Sequence, residues 1–468
     1  MTAWWLLGAN LVFAVHVVVL HAQAPATSHP PGITAQRFPE DYSYLRDPEN
    51  RTGVWWEPLK FILLDSARGV YLTLGDDVLL EHESYWNNRF GEAVDPDEGY
   101  LHFRTSPYAD LHVAPRLRLF TQLVGAWTTR SRRTRTPGDQ TSLDLLQAFI
   151  DVRWSLGSAG RLTGRGGRHV MSYGSERLIS AGRLIRNAFD GGLVRWERDR
   201  WSVDAFYVRP VEVGLYSFDD RSDRARQLWS VYATRPAPQS GPGAGLDVYY
   251  IGFENEDAVF EATAGRELRH TLGTRWFGTR GDWQWDLEGV GQFGDVADQD
   301  IRALTLFTAV RHTLPHPWRQ SYVELRANRI SGDRDRGDRT LGTYNPLFPA
   351  NRYFGEINEI GPVNLRTLRP VLAADLGGGW TVRPSAVFYW RDSLEDGVYD
   401  PSLDLIRPSG GSRARYVGTQ GEVVLLWEMN RNLTFEGAVA ALKPGRFIEE
   451  TGPARTVRYA LASVELRY

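Results

Sequence analysis

Along segment after segment of this chain, apolar and polar residues exchange places at every second position, and that two-residue period restricts the fold more than any other feature. Trp283, Trp285, Leu287, Gly289, Gly291 and Phe293 share one face, against Asp282, Gln284, Asp286, Glu288 and Gln292 on the other. Side chains of a β-strand point alternately to opposite sides, so such a segment reads as a strand lying between two unlike surroundings. Leu146, Ala148, Ile150, Val152 and Trp154 oppose Gln147, Asp151 and Arg153 in the same way. Between Trp380 and Trp390 one face carries Trp, Val, Ala, Phe and Trp, and the other carries Arg383 and Ser385. Pro115 to Leu123, Trp201 to Tyr207, Val323 to Ala327 and Leu433 to Ala441 repeat the pattern. The repetition excludes a helical protein. Turns rich in Gly, Asp and Pro separate the strands, as at Arg132 to Gln140, Arg235 to Gly245 and Ser331 to Thr340.

Strands with one apolar face suit either a soluble all-β protein or a barrel in a membrane. The mean hydropathy is −0.37 although 42% of the 468 residues are hydrophobic. A transmembrane barrel combines these values, because each strand shows lipid one residue and lumen the next. The 17 Trp, 20 Tyr and 20 Phe agree, since such barrels place Trp and Tyr in girdles at the two membrane interfaces. A propeller is also rich in aromatics, but no blade-length repeat recurs here. The last strand, in which Ala462, Val464, Leu466 and Tyr468 oppose Ser463, Glu465 and Arg467, reads as the closing strand of a barrel. Glu465 and Arg467 would then face the lumen, and Val464 and Leu466 the lipid.

Absence of cysteine fits a chain that crosses an oxidising compartment unfolded. The apolar run from Trp4 to Leu20, ending at Ala22, Gln23 and Ala24, reads as a signal peptide over residues 1–24, although no Lys or Arg precedes it. A retained membrane anchor is the rival, weakened by Asn10 and His16. Proline-rich residues 25–52 form a periplasmic lead-in. Residues 53–468 remain for a single antiparallel transmembrane barrel. At about 25 residues per strand and connection this is about 18 strands, with 16 also accommodated.

Several motifs then carry a resemblance. GRHVMSYGSERL at Gly167 to Leu178 and RNAFDG at Arg186 to Gly191 are followed by NPLFPANRYFG at Asn345 to Gly355 and by Gly361 to Asn364. SRARYVGTQ at Ser412 to Gln420 and ETGP at Glu450 to Pro453 complete the series, while LKFILLD at Leu59 to Asp65 and YLTLGDD at Tyr71 to Asp77 stand near its start. In this order, from about Asp41 to Tyr468, they resemble the alginate export family of outer-membrane porins. The resemblance implies an 18-stranded monomeric barrel through whose arginine-lined pore a secreted anionic polysaccharide diffuses out. His169 departs from the family, where a glutamine is expected.

Residue chemistry agrees with that implication. Of 54 basic residues only Lys60 and Lys443 are lysine. Arginine pairs bidentately with carboxylates and keeps its charge in a narrow pore, so a row of lumenal arginines could replace the lost hydration of successive uronate carboxylates. Codon bias in a GC-rich genome would give the same ratio, so position decides. Strand parity assigns Arg116, Arg118, Arg153, Arg326 and Arg383 to the lumen. Arg165, Arg168, Arg177, Arg183 and Arg186, in and after the most family-specific strand, complete the candidate pore residues. Lumenal carboxylates such as Asp286, Glu288, Glu324 and Glu436 would make some of these arginines wall braces. With a net charge of −3, anion preference requires basic groups to be segregated at the constriction.

No GxSxG nucleophile elbow occurs, and the family gives Ser172, Ser175 and His169 no catalysis, so no enzyme activity, cofactor or metal is expected. Asp333, Asp335 and Asp338, and Asp95, Asp97 and Glu98, have spacings a calcium ion could use, but interleaved arginines favour solvated loops. The expected partners are an anionic polysaccharide, outer-membrane lipid and lipopolysaccharide, the barrel assembly machinery and periplasmic export proteins, with no nucleic acid. A general diffusion porin for small anions and a cell-surface binding platform are the alternatives.

Overall fold

The computed structural model describes residues 31–129, 138, 140–238, 242–315 and 321–468. The signal segment and most of the Arg132 to Gln140 turn lie outside the described residues. The two-residue period becomes a closed antiparallel barrel of 18 strands. Strand β1 comprises Val70–Gly75 and Asp77–Trp86, and β2 comprises Glu98–Thr105 and Tyr108–Val113. There follow β3 (Leu117–Thr129), β4 (Thr141–Ser155), β5 (Arg161–Val170), β6 (Ala188–Arg198), β7 (Trp201–Glu212), β8 (Arg226–Arg235) and β9 (Gly243–Val259). The second half is β10 (Ala264–Arg280), β11 (Trp283–Val296), β12 (Gln299–Thr313), β13 (Tyr322–Ile330) and β14 (Leu365–Gly377). It ends with β15 (Trp380–Arg391), β16 (Tyr416–Glu428), β17 (Leu433–Pro444) and β18 (Val457–Arg467).

Each strand pairs with its sequence neighbour, and β18 returns to β1 with Arg467 opposite Asp77 and Arg458 opposite Trp86. Closure removes the edges whose backbone groups would be unpaired in lipid. The seam continues one residue further, where the amides of Asp76 and Tyr468 each donate to the other's carbonyl at 3.0 Å. Within β18, Glu465 faces inward and accepts from Arg104 at 3.2 Å and Arg467 at 2.5 Å, while Val464 and Leu466 pair with Leu80 and Val78 of the outer row.

Exposure follows the alternation. On β12, Leu304 is 66% exposed, whereas Ala303 and Thr305 beside it are 5% and 1% exposed. Ile150, Val194, Val231, Leu272, Leu325, Leu372 and Val439 extend this outer apolar belt, and Trp154, Trp201, Trp283 and Trp380 stand near its lower edge. One sequence assignment changes. At the β3 and β4 pairing a bulge leaves Leu146 between Leu145 and Gln147, and Leu146 turns inward to pack with Val124, Val170 and Ala181. An extra residue in one strand shifts the parity of everything beyond it.

Short turns join the strands at the end that holds both described chain termini. Long connections occupy the other end, and two of them fold down into the lumen. The connection over residues 171–187 meets that over 331–364: Ile179 bridges Phe348, and the Ser180 amide donates to the Phe348 carbonyl at 2.9 Å. Phe348 is wedged against Phe189 and Phe253. At the opposite mouth the N-terminal residues are ordered against the barrel. They make three short helical turns, Ser43–Arg46, Pro48–Asn50 and Glu57–Lys60, and a short strand, Ile62–Asp65, beside β1. Phe38 packs on Phe120 and Phe149, and Arg37 donates to the carbonyls of Asp76 at 3.0 Å and Tyr468 at 2.8 Å across the seam.

Candidate functional site

Three inserts narrow the lumen: the N-terminal segment and the 171–187 and 331–364 connections. Between the last two and the wall formed by β10 to β14 lies a cavity of about 500 Å³. Inward rows of antiparallel strands supply Arg275, Asp286, Arg311, Glu324, Arg326 and Arg369, and the connections supply Arg177, Arg352, Tyr353 and Phe354. Its lining thus holds six arginines, Arg177, Arg275, Arg311, Arg326, Arg352 and Arg369, against two carboxylates, Asp286 and Glu324.

Further carboxylates stand behind that lining and hold the guanidinium groups in place. Arg369 pairs with buried Glu422 at 2.7 Å, and Arg177 with Asp286 at 3.1 Å and Glu288 at 2.5 Å. Arg275 bridges Asp247 at 3.1 Å and Asp286 at 2.8 Å. Arg352 is the most heavily partnered: Glu83 lies at 2.5 Å, Glu356 at 3.2 Å, Glu81 at 3.5 Å and Glu436 at 3.8 Å. Glu324 is shared by Arg311, at 2.8 Å, and Arg326, at 2.5 Å. Both guanidinium groups remain partly open, with side-chain exposures of 31% and 41%. Charge-assisted pairs fix side-chain direction as well as adding attraction, so the cavity presents a rigid wall of arginines braced by carboxylates.

The alginate export profile matches residues 70–462, most of the chain. The chain belongs to the alginate export family. Solved structures agree on the fold. Pseudomonas aeruginosa OpdK, determined with vanillate, superposes with a TM-score of 0.56 at 11% identity, over 84% of this chain and 99% of that one. P. aeruginosa OccK2 (OpdF), in complex with glucuronate, gives 0.54 at 11% identity over 85% and 97%. OccK5 (OpdH) from the same organism gives 0.54 at 11% over 85% and 98%. No curated protein matches in sequence. This alginate export family member is an outer-membrane β-barrel channel.

The arginines singled out from the sequence of this alginate export family protein are dispersed. Arg177 and Arg326 line the cavity. Arg383 faces the lumen with Glu356 at 3.9 Å, and Arg183 reaches Glu81 at 2.5 Å and Glu436 at 3.6 Å. Arg186 is buried against Asp77 and the Ala35 carbonyl, and Arg118 clamps Asp110 and the Phe38 carbonyl at 2.5 Å. Arg165 pairs with Asp151 at 2.7 Å and lies between the rings of Phe38 and Phe149. These three hold the N-terminal segment or the walls rather than the cavity. Arg153 occupies the inner row near the periplasmic end of β4.

Two assignments are corrected. Arg116 is exposed in the periplasmic turn between β2 and β3, because the strand begins one residue later. Arg168 belongs to the outer row. It lies three positions from inward Arg165, an odd number, and its register partner Asp190 neighbours fully buried, inward Phe189. It pairs with Asp190 at 2.8 Å near the extracellular rim. Gly167 beside it has a φ of +127°, and an added Cβ would meet the Ala148 carbonyl oxygen at 2.3 Å, so glycine is needed there. Arg275, Arg311, Arg352 and Arg369 join the lining from outside the candidate pore residues that the sequence singles out. Arg311 and Arg369 lie on inward rows that alternation counted on β12 and β14 would have marked, and Arg352 stands inside the NPLFPANRYFG motif.

The acidic loop clusters serve their own turns: Asp333, Asp335 and Asp338 accept the amides of Gly342, Gly337 and Thr340, and Asp97 that of Asn87. Asp144, Asp219 and Asp220 also converge, but Asp144 accepts the amides of the other two.

Proposed function

We propose that this channel passes an anionic polysaccharide of the polyuronate class, alginate or a close relative, out of the periplasm by passive diffusion through the arginine-lined cavity. The observation that carries the reading is the row of six arginines on the cavity lining, of which Arg311 and Arg326 share a single carboxylate and stay partly open. A polyuronate bears one carboxylate per sugar, and a row of fixed guanidinium groups replaces hydration at one site after another, so the polymer advances without a deep trap. Family membership supplies the polymer class. The second reading, a diffusion channel for small organic anions, draws support from the fold-related OpdK and OccK2, whose structures contain vanillate and glucuronate.

Single-channel recording on the refolded barrel separates them. Short polyuronate should interrupt the current at least tenfold more effectively than neutral glucan of equal length, and Arg326→Gln combined with Arg369→Gln should remove most of that difference. Equal block by the neutral glucan would sink the polyuronate reading. Selective block by glucuronate monomer alone would favour the second.

A further inference from the structure

The extracellular rim of the lipid-facing wall carries a charge arrangement that transport through the lumen does not use. Arg329 on β13 and Arg366 on β14 stand directly opposite each other in register. Both belong to the outer row, since Ile330 and Leu365 beside them are fully buried inside. Like charges placed opposite across a strand pair repel. Here one buried carboxylate serves both: Asp392 Oδ1 accepts from Arg329 Nε at 3.1 Å and Arg366 Nε at 2.6 Å. The two guanidinium side chains stay 54% and 49% exposed. Beside them exposed Arg415 donates to the Asp392 backbone carbonyl at 2.6 Å, so a third cation stands next to the residue whose carboxylate the other two share.

The surroundings bear on which anion these arginines suit. Arg329 is opposite Leu306, an outward residue 53% exposed, and Arg366 is opposite Trp390. Farther down the same outer rows, Leu325, Leu368 and Leu372 continue the apolar belt toward the membrane centre. The arginines therefore stand at the top of the hydrocarbon-facing surface, one residue from the extracellular ends of their strands. A group reaching them from the side is a lipid headgroup whose acyl chains lie on that belt. Guanidinium forks with unused Nη donors match phosphate oxygens, and headgroup depth lowers the screening that weakens such pairs in water.

We propose that Arg329, Arg366 and Arg415 form a binding site for the phosphate of a phosphorylated glycolipid in the outer leaflet, the chemistry of lipid A. Asp392 is a positioning residue that holds the two strand arginines parallel and leaves their outer donors to the ligand.

Native mass spectrometry of the full barrel, titrated with diphosphorylated lipid A, with the same lipid stripped of its phosphates and with zwitterionic phosphatidylethanolamine, tests the site. Wild type should retain the phosphorylated form about tenfold more strongly than the stripped form. Arg329→Gln with Arg366→Gln should abolish that preference while leaving phosphatidylethanolamine retention and barrel integrity on unheated gels unchanged. Equal retention of both lipid A forms by wild type, which needs no variant, overturns the proposal. So does a folded double variant that keeps the preference.

Discussion

Glu324 offers the sharpest test of how the cavity handles charge. Its carboxylate sits between Arg311, at 2.8 Å, and Arg326, at 2.5 Å, in the position a substrate carboxylate would occupy. Glu324→Gln keeps the shape and removes one of the two negative charges on a lining with six positive ones. A unit charge at 4 Å is worth about 1 kcal/mol in water and about 4 kcal/mol at an effective dielectric constant near 20. Because Arg326 is 41% exposed, the water-like end applies, and a gain of about 1 kcal/mol per bound carboxylate is expected. That corresponds to roughly fivefold tighter polyuronate block. In bilayer recordings the variant should bind polyuronate more tightly, and its reversal potential in a salt gradient should move toward the anion limit. Higher ionic strength should shrink both effects. An unchanged reversal potential together with weaker block would refute the reasoning, since it would mean that Glu324 positions the arginines rather than competing for them.

Lys60, at the periplasmic mouth, is fully buried, donates to the Leu74 carbonyl at 3.0 Å and the Tyr108 hydroxyl at 2.7 Å, and is pushed down to about 7 by burial and then by Arg37. Since a free lysine titrates near 10.4, the unfolded chain holds the extra proton between these values, and stability rises with pH across that window, by on the order of 5 kcal/mol. Lys60→Met should flatten the rise, read as urea midpoints at pH 6 and pH 9; a variant with the wild-type slope would contradict this. Arg37→Ala should cost about 3–5 kcal/mol, because it strands buried Glu40 and frees the Tyr468 carbonyl at the seam. Adding Glu40→Gln should recover part of that loss in the temperature at which the barrel unfolds on gels, and no recovery would show that the seam contact alone matters.

Much of the wall was legible in sequence because a strand between lipid and lumen must alternate, and alternation is local. The outward Trp380, Phe388 and Trp390 and the inward Arg383 follow from counting by two. So does the closing strand, where Glu465 turns in and Leu466 out. Counting fails wherever the backbone adds or loses a position. The bulge at Leu146 reverses its face, and the late start of β3 leaves Arg116 in a turn. Arg168 sits within the GRHV motif yet faces outward, because parity and not motif membership sets the face of a strand residue.

The cavity was a different matter. Arg177 and Arg352 lie 175 positions apart in sequence and reach the lumen only because two connections fold inward and join at Ile179 and Phe348. Which arginine brings its own carboxylate depends on distances across the barrel, as between Arg352 and Glu83. Sequence by itself determined a closed, two-faced wall, since its period is set by the pleat of the strand. Tertiary structure alone decided which charges meet at the passage and which carboxylates they share, because long-range pairing depends on where loops come to rest.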